Sequence, residues 1–311
     1  MHAESSALAR LRAYEVSATR FFQLALASAM GLWLIVGSGA AVRLTDSGLG
    51  CRHWPGCERG HPLPAKDSHA FVEFGNRLAG GVVIALALAT CLGALRTPGL
   101  PTWARRLATL VFAGAFAQAP LGYLAVASDL RWPVVMAHLL LSIALLAGAV
   151  VVAVEALGLR DGRSAPLVPR ELRRLALVFT SAGFALIVSG TLATAAGPHS
   201  GGGDDVDRFG SLEPTVYVHG AIVGAFLLSF LFAVGYLAAY RQRSPALFRL
   251  GIGVLALLLV QIGIGEIQWR TELPWGLVLV HVGLAAAVWA GTVALAALFF
   301  RPPKSLAPGS A

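Results

Sequence analysis

The chain contains eight long apolar stretches, which are separated by short polar or glycine-rich segments. Each stretch has the roughly 20 residues that a helix needs to cross the hydrocarbon core of a bilayer. The pattern therefore predicts an all-α integral membrane protein. The eight predicted transmembrane helices cover residues 21–44, 71–95, 103–127, 132–157, 172–196, 215–240, 246–269 and 275–300.

The second half of the pattern repeats the first at an offset of 143 residues. Matched polar and glycine positions in apolar surroundings indicate an internal duplication. We therefore predict two repeated four-helix bundles, with an amino half at 1–158, a linker at 159–174 and a carboxyl half at 175–311. The matched pairs are Gln118 and Gln261, Gly122 and Gly265, His138 and His281, Gly148 and Gly291, and Asn76 and His219.

Composition and charge support a membrane protein. The chain is 57% hydrophobic and 13% charged, whereas a soluble domain has about 25% charged residues. The formal charge of +8 does not indicate nucleic acid binding, because the basic residues are concentrated on one side of the predicted spans. The positive-inside rule then predicts a bacterial cytoplasmic membrane protein with both termini in the cytoplasm. Residues 1–20 contain acids and lead into a full span, which is not typical of a signal or transit peptide.

Four matched positions carry the candidate chemistry: Asn76, His138, His219 and His281 each lie a turn or two inside an even-numbered helix, near the predicted outer face. A histidine within a span is costly and usually functional, although a single one also serves as a hydrogen-bonded packing residue. Two histidines on different helices meet across a bundle core. The carboxyl half thus carries a histidine pair, and the amino half a histidine and an asparagine.

The histidine pair favours haem over zinc. Zinc takes four ligands, and no further ligands recur near both histidines. Haem iron takes two axial ligands, and its porphyrin fills the space between helices. We therefore predict a bis-histidine haem at His219 and His281. Arg77, Arg131 and Arg270 are candidates to bind the propionates, or alternatively anchor the helices at the membrane interface.

Separate sequence blocks resemble those of haem A synthases. VRLTDSGLGCRHWPGC runs from Val42 to Cys57, GTLATAAGPHSGG runs from Gly190 to Gly202, and the two glutamine-to-histidine blocks lie in the expected order. The resemblance covers essentially the whole span region. It implies an eight-helix enzyme that oxidises a methyl group of haem O to a formyl group, which gives haem A for terminal oxidases.

The resemblance also implies roles for particular residues. His219 and His281 would hold a haem b, and Glu73 and His138 would line a haem O substrate site in the amino half. The haem b would pass electrons from the substrate to an external acceptor. The other implied partners are membrane lipid and a haem O synthase.

One position departs from the family pattern. The family's Glu-x-x-His motif reads Glu73-Phe74-Gly75-Asn76 here. Because asparagine is a weak haem ligand, we predict that His138 alone holds the substrate haem; the alternative is an amino half that binds nothing. His69 lies about 10 Å from Asn76 along a helix, too far to replace the ligand. The loop histidines His53 and His61 remain alternatives.

Glu73 and the cysteine pair each allow two interpretations. Glu73 shares a helix face with Asn76, and is either a proton carrier for methyl oxidation or an interfacial acid paired with Arg77. Cys51 and Cys57 match the family's loop cysteine pair. On the predicted outer side a disulfide between them can persist; the alternative is two free thiols.

Two other functions fit parts of the pattern. An electron-transfer cytochrome b would use the same histidines without making a product. A transporter would need broken helices and polar groups at the membrane midplane, whereas the polar groups here cluster near one face. We therefore predict a haem A synthase-like membrane oxidoreductase.

Overall fold

The computed structural model describes residues 15–51, 53–54, 56–58, 60, 63–64, 67–199, 201–202 and 206–307. His61, one of the alternative ligands, lies outside the described residues, as does most of the amino tail.

The described residues form eight long helices and no β-strand. All eight helices are long and apolar enough to cross a membrane, which confirms the predicted fold class. A short 3-10 helix, Lys304–Leu306, follows the last of them. The long helices are α1 (Ala18–Leu44), α2 (Ser68–Leu95), α3 (Thr102–Ala127), α4 (Trp132–Asp161), α5 (Arg170–Ala196), α6 (Leu212–Ala239), α7 (Pro245–Arg270) and α8 (Trp275–Phe300).

Side-chain caps start the first two helices three residues earlier than the apolar pattern predicts. The Ser17 hydroxyl accepts a hydrogen bond from the Arg20 backbone amide at 3.4 Å. The Asp67 carboxylate likewise accepts one from the His69 amide at 3.2 Å. Such caps satisfy amide groups that have no partner inside the helix. The capped turns are polar, so hydropathy alone places the helix starts too late.

The segment after α8 packs on the linker between α4 and α5. The Lys304 backbone amide donates to the Gly162 carbonyl at 2.8 Å. Glu155 is only 2% exposed, and its carboxylate accepts hydrogen bonds from Arg163 and Arg301. A buried carboxylate is tolerated only when such partners surround it. These contacts accompany an α4 that is four residues longer than predicted.

The helices pack as two rings of four. In the amino half, α2 and α4 each contact α1 and α3; in the carboxyl half, α6 and α8 each contact α5 and α7. Within the described residues, the diagonal pairs α2–α4 and α6–α8 do not approach within 8 Å between Cα atoms. We refer to the space between the two even-numbered helices of each ring as the gap.

The two rings meet through α1, α4, α5 and α8. The Trp33 indole on α1 donates to the Gly283 carbonyl of α8 at 3.0 Å. The Trp289 indole on α8 donates to the Ile143 carbonyl of α4 at 3.1 Å. Trp289 buries its ring, whereas Trp33 stays exposed; in both, the single indole donor finds a partner. These contacts fix α8 against the amino half.

Candidate functional site

The four matched positions lie at one end of the helix bundle. Asn76, His138, His219 and His281 fall within the first three turns of α2, α4, α6 and α8. Because alternate helices run in the same direction, these side chains share a depth near one face of the protein.

In the carboxyl half, His219 lies on α6 and His281 on α8, the two helices on either side of the gap. The Ser189 hydroxyl donates to the Leu186 carbonyl at 2.9 Å and lies 2.9 Å from His219 Nδ1. When its one proton is donated to Leu186, the Ser189 oxygen accepts from Nδ1–H in the tautomer that carries a proton there. This bond leaves a lone pair on Nε2, the arrangement that a histidine ligand requires.

Each imidazole lies beside a glycine of a neighbouring helix. An added Cβ would approach the imidazole Cε1 to 3.5 Å at one position and 3.0 Å at the other two. The 3.0 Å contacts are tighter than ordinary packing, so a larger residue would displace the ring. The pairs are Gly122 with His138, Gly190 with His219 and Gly265 with His281.

In the amino half, Asn76 occupies the position that His219 has in the carboxyl half. The Ser38 hydroxyl donates to Asn76 Oδ1 at 2.7 Å, as Ser189 pairs with His219. Gly39 follows Ser38, just as Gly190 follows Ser189. A Cβ added to Gly39, however, would meet nothing within 4 Å. The smaller asparagine therefore leaves open the space that an imidazole fills in the other half.

Sequence reasoning missed this serine–glycine pair. Ser38-Gly39 and its counterpart Ser189-Gly190 lie 151 residues apart, whereas the other matched positions lie 143 residues apart. The loop between α1 and α2 has 23 residues (45–67), whereas the loop between α5 and α6 has 15 (197–211). A search for the repeat that allowed a loop insertion would have aligned the two dipeptides.

The repeated glutamines fasten the helices that carry His138 and His281. The Gln118 side-chain amide donates to the His138 carbonyl at 3.1 Å. Gln261 makes the equivalent bond to the His281 carbonyl at 2.9 Å. The Nδ1 atoms of both histidines are buried and have no hydrogen-bond partner among the described residues. The twenty-residue spacing thus reflects one structural link that occurs in both halves.

Glu73 and Arg77 hold the outer loop against α2. A disulfide joins Cys51 to Cys57 within this loop. The buried Glu73 carboxylate accepts from the Cys51 backbone amide at 2.6 Å and pairs with Arg77 at 2.5 Å. The Arg77 guanidinium also donates to three loop carbonyls, those of His53 at 2.7 Å, Gly56 at 2.8 Å and Cys51 at 3.3 Å. Both charged side chains therefore contact the loop.

The other candidate residues lie around the site. Arg270 pairs with Glu266 at 2.5 Å, and both side chains are largely exposed. Arg131 is the residue before α4 and makes no side-chain hydrogen bond within the described part of the chain. His69 Nδ1 lies 3.0 Å from the Ser47 hydroxyl, in contact with the outer loop.

The loops between α1 and α2 and between α5 and α6, which are the predicted outer loops, contact each other at the end of the bundle that carries the site. The Gly48 backbone amide donates to the Gly201 carbonyl at 2.9 Å. The Arg43 guanidinium donates to the Thr194 carbonyl at 2.5 Å. His199 Nε2 lies 2.8 Å from the Leu273 carbonyl, a backbone partner that the sequence did not identify.

The disulfide gives a first testable prediction. Closing so short a loop stabilises the fold by about 2 kcal/mol in the chain-entropy model. Cys91 is a buried free thiol in α2 and provides an internal control. Alkylation of the denatured, unreduced protein should label Cys91 alone, and reduction should expose Cys51 and Cys57. Mass spectrometry that found all three thiols labelled before reduction would contradict the bridge.

The site presents imidazoles across a gap. Within the described residues, no three His, Cys, Asp or Glu side chains converge to hold a metal ion directly. A haem needs only two axial ligands from the protein and a space for the macrocycle. His219 and His281 lie on the two helices that border the gap, which suits that requirement.

Comparison with known proteins gives the family. The family model described as cytochrome oxidase assembly protein, COX15-CtaA, matches residues 22–199. The chain is 28% identical to the heme A synthase of Shewanella oneidensis over 304 residues, which cover 81% of this chain and 88% of that protein. A shorter match of 61 residues, 46% identical, covers 19% of this chain and 20% of the heme A synthase of Lysinibacillus sphaericus.

A further relative is longer than this chain. The chain is 32% identical over 281 residues to a Thermus thermophilus protein named protoheme IX farnesyltransferase. The match covers 83% of this chain and 45% of that protein, so the chain spans about half the length of this relative. The resemblance seen in the sequence blocks is confirmed: the chain belongs to the COX15-CtaA family of cytochrome oxidase assembly proteins.

Proposed function

We propose that this protein is a haem A synthase that oxidises a methyl group of haem O to a formyl group, in a bacterial cytoplasmic membrane with both termini in the cytoplasm. One observation carries the proposal: in each half, the two even-numbered helices on either side of the gap each carry one of the four matched residues at the same end of the bundle. Three of these residues are histidines and the fourth is Asn76. The relatives named heme A synthase support the same reaction.

The carboxyl half is proposed to hold a haem b as a resident cofactor. His219 and His281 supply its axial ligands, since they lie on the two helices that border the gap and the contact of His219 Nδ1 with Ser189 leaves Nε2 available. When bound, this haem supplies a one-electron carrier between the substrate and an external acceptor. Two strong ligands suit a cofactor that stays bound. Of the proposed propionate partners, Arg131 has its side chain free of hydrogen bonds within the described residues, whereas Arg77 and Arg270 have carboxylate partners.

The amino half is proposed to bind haem O as the substrate. His138 would be its one histidine ligand, because Asn76 stands where the second ligand lies in the other half. A single strong ligand holds a haem less tightly than two. Weaker binding suits a substrate that must leave as product. A haem O synthase in the same membrane would supply that substrate, so we include that enzyme among the proposed partners.

Glu73 is proposed to accept protons released when the methyl group is oxidised. Its carboxylate lies one turn before Asn76 on the same face of α2. The Cys51 amide and the Arg77 guanidinium fix the position of this carboxylate. A general base must be held within reach of the proton that it accepts, and these two bonds supply the orientation.

Pigment analysis tests the reaction. Membranes from cells that express the chain together with a haem O source should contain haem A. His138→Ala should abolish haem A formation, and Glu73→Gln should lower the yield at least tenfold while the haem b spectrum remains. A cytochrome b would show haem in the purified protein but no new pigment, and a transporter would show neither. Absence of haem A from cells with the unmodified chain would contradict the proposal.

A matched pair of glycine variants tests the haem b pocket. Gly190→Ala should displace His219, because the added Cβ would lie 3.0 Å from the imidazole. Such overpacking costs about 1–3 kcal/mol, so the ratio of haem to purified protein should fall. Gly39→Ala is the control, since its Cβ would meet nothing within 4 Å. Equal haem content in both variants would contradict this account of the pocket.

A further inference from the structure

The amide of Asn76 has a free donor group. Its Oδ1 accepts from the Ser38 hydroxyl at 2.7 Å, and the same hydroxyl lies 3.3 Å from the Ile35 carbonyl. The Nδ2 group carries two further protons, which make no hydrogen bond to any described residue. Polar groups within a membrane need partners, because no bulk water is present to supply them.

The obvious protein acceptor near this amide is already engaged. Glu73 lies one turn away on α2, but its carboxylate is held by Arg77 and by the Cys51 backbone amide. Gly39, beside Ser38, borders open space. The free donor of Asn76 therefore lies next to room for a small molecule.

The donor group of Asn76 lies on α2, one of the two helices that border the gap in the amino half. His219, the counterpart of Asn76, contacts Ser189 where Asn76 contacts Ser38, although Ser189 accepts a hydrogen bond and Ser38 donates one. His138 lies on α4, on the other side of the gap. An amide nitrogen has no available lone pair and donates hydrogen bonds. The amino half thus has a donor where the carboxyl half has a ligating nitrogen.

We propose that Asn76 donates a hydrogen bond to a small acceptor, either water or an anion, that occupies the iron position opposite His138. Ser38 is a positioning residue, because its bond to Oδ1 turns Nδ2 away from α1. Hydrogen-bond donors on the distal side of a haem decide which small ligands the iron holds. This inference rests on the proposed binding of haem O in the amino half.

Azide and carbon monoxide are suitable probes for the full-length, haem-loaded protein. Azide is an anion that accepts hydrogen bonds strongly, whereas carbon monoxide accepts them weakly. The proposed haem b has both axial positions filled by histidine, so binding of either probe reports on the amino half. Asn76→Leu keeps a similar side-chain volume and removes the donor.

The expected result is a selective loss of azide binding. In Asn76→Leu, the azide dissociation constant should rise about tenfold, as for the loss of one hydrogen bond to a charged group. Carbon monoxide affinity should change much less, and the C–O stretching frequency should increase. Ser38→Ala should give a smaller change in the same direction. Asn76→Ala provides a second donor-free variant should the leucine variant fail to fold.

Ser229→Ala is the matched control. Its hydroxyl donates to the Phe226 carbonyl three residues earlier, as the Ser38 hydroxyl lies near the carbonyl of Ile35. This control should leave azide affinity unchanged. Wild-type azide affinity and an unchanged C–O stretch in both Asn76 variants would overturn the donor role.

A different result would overturn the proposed substrate site itself. If the unmodified protein has no haem that binds azide or carbon monoxide, and His138→Ala leaves the haem content unchanged, the amino half does not bind haem O. The donor role then falls with it. The two failures are distinguishable, because the first leaves a ligand-binding haem in place and the second does not.

Discussion

Replacing either His219 or His281 with alanine is expected to abolish the low-spin haem spectrum of the purified protein. Each imidazole supplies one of the two axial ligands in the proposed haem b site, and a six-coordinate low-spin iron needs both. Replacing one imidazole with a methyl group removes a ligand and leaves a cavity beside Gly190 or Gly265. The absorption spectrum and the haem-to-protein ratio of each variant measure the effect.

His199→Ala provides the control for this prediction. His199 lies in the outer loop of the same half and bonds the Leu273 carbonyl at 2.8 Å. Its replacement should leave the low-spin spectrum in place. Full low-spin signals in both the His219 and the His281 variants would show that the ligands have been assigned to the wrong residues.

Hydropathy predicted the helices well, because transfer of apolar side chains into the bilayer determines where spans occur. It did not predict directional bonds. The caps at Ser17 and Asp67 lengthen two helices through a single hydrogen bond each. The buried Glu155 was not singled out, because its partners Arg163 and Arg301 come from segments outside α4.

The repeat predicted four matched positions, which the structure places at one end of the bundle, but only part of their surroundings. Gln118 and Gln261 were matched by their fixed offset, although their bonds to histidine carbonyls required the structure. Ser38 was missed, because the longer outer loop shifts its counterpart to a different offset. Ser38 and Ser189 contact the matched residues Asn76 and His219 from corresponding helices, as the predicted duplication would require.

The charged residues near the outer face show a limit of sequence reasoning. Arg77 was a candidate for binding a propionate, yet its guanidinium contacts Glu73 and loop carbonyls. Spacing along α2 predicted the pair with Glu73. It did not predict the loop, because the path of the chain between Cys51 and Cys57 depends on the disulfide and on long-range backbone contacts.

The difference between the halves has a physical consequence for exchange of haem. Both rings keep a gap between diagonal helices and a serine–glycine pair beside it. Only the carboxyl half has two imidazoles at the gap. We infer that the same scaffold provides tight binding for a cofactor in one half and reversible binding for a substrate in the other.

Asn76→His is therefore expected to convert the amino half into a second tight site. The open space at Gly39 accommodates an imidazole, and Ser38 stands where Ser189 orients His219. The introduced imidazole would lie across the gap from His138. The purified variant should contain a second low-spin haem, lose its azide-binding signal and retain its substrate haem during purification.

Filling the space beside the introduced imidazole should cancel the effect. In Asn76→His combined with Gly39→Val, the valine side chain occupies the region that Gly39 leaves open. Overpacking of this kind costs about 1–3 kcal/mol, so the second low-spin signal should be reduced or absent. Gly39→Val alone should retain the haem b spectrum, because the carboxyl-half ligands are unchanged.

The competing explanation is an amino half that no longer binds haem. It predicts that Asn76→His changes neither haem content nor spin state, and that His138→Ala retains full activity. The open-site account predicts the opposite for both variants, because it makes His138 the one protein ligand of the substrate. A low-spin haem that appears only when Asn76 is replaced by histidine, and disappears when His138 is also removed, requires that the two positions face one iron.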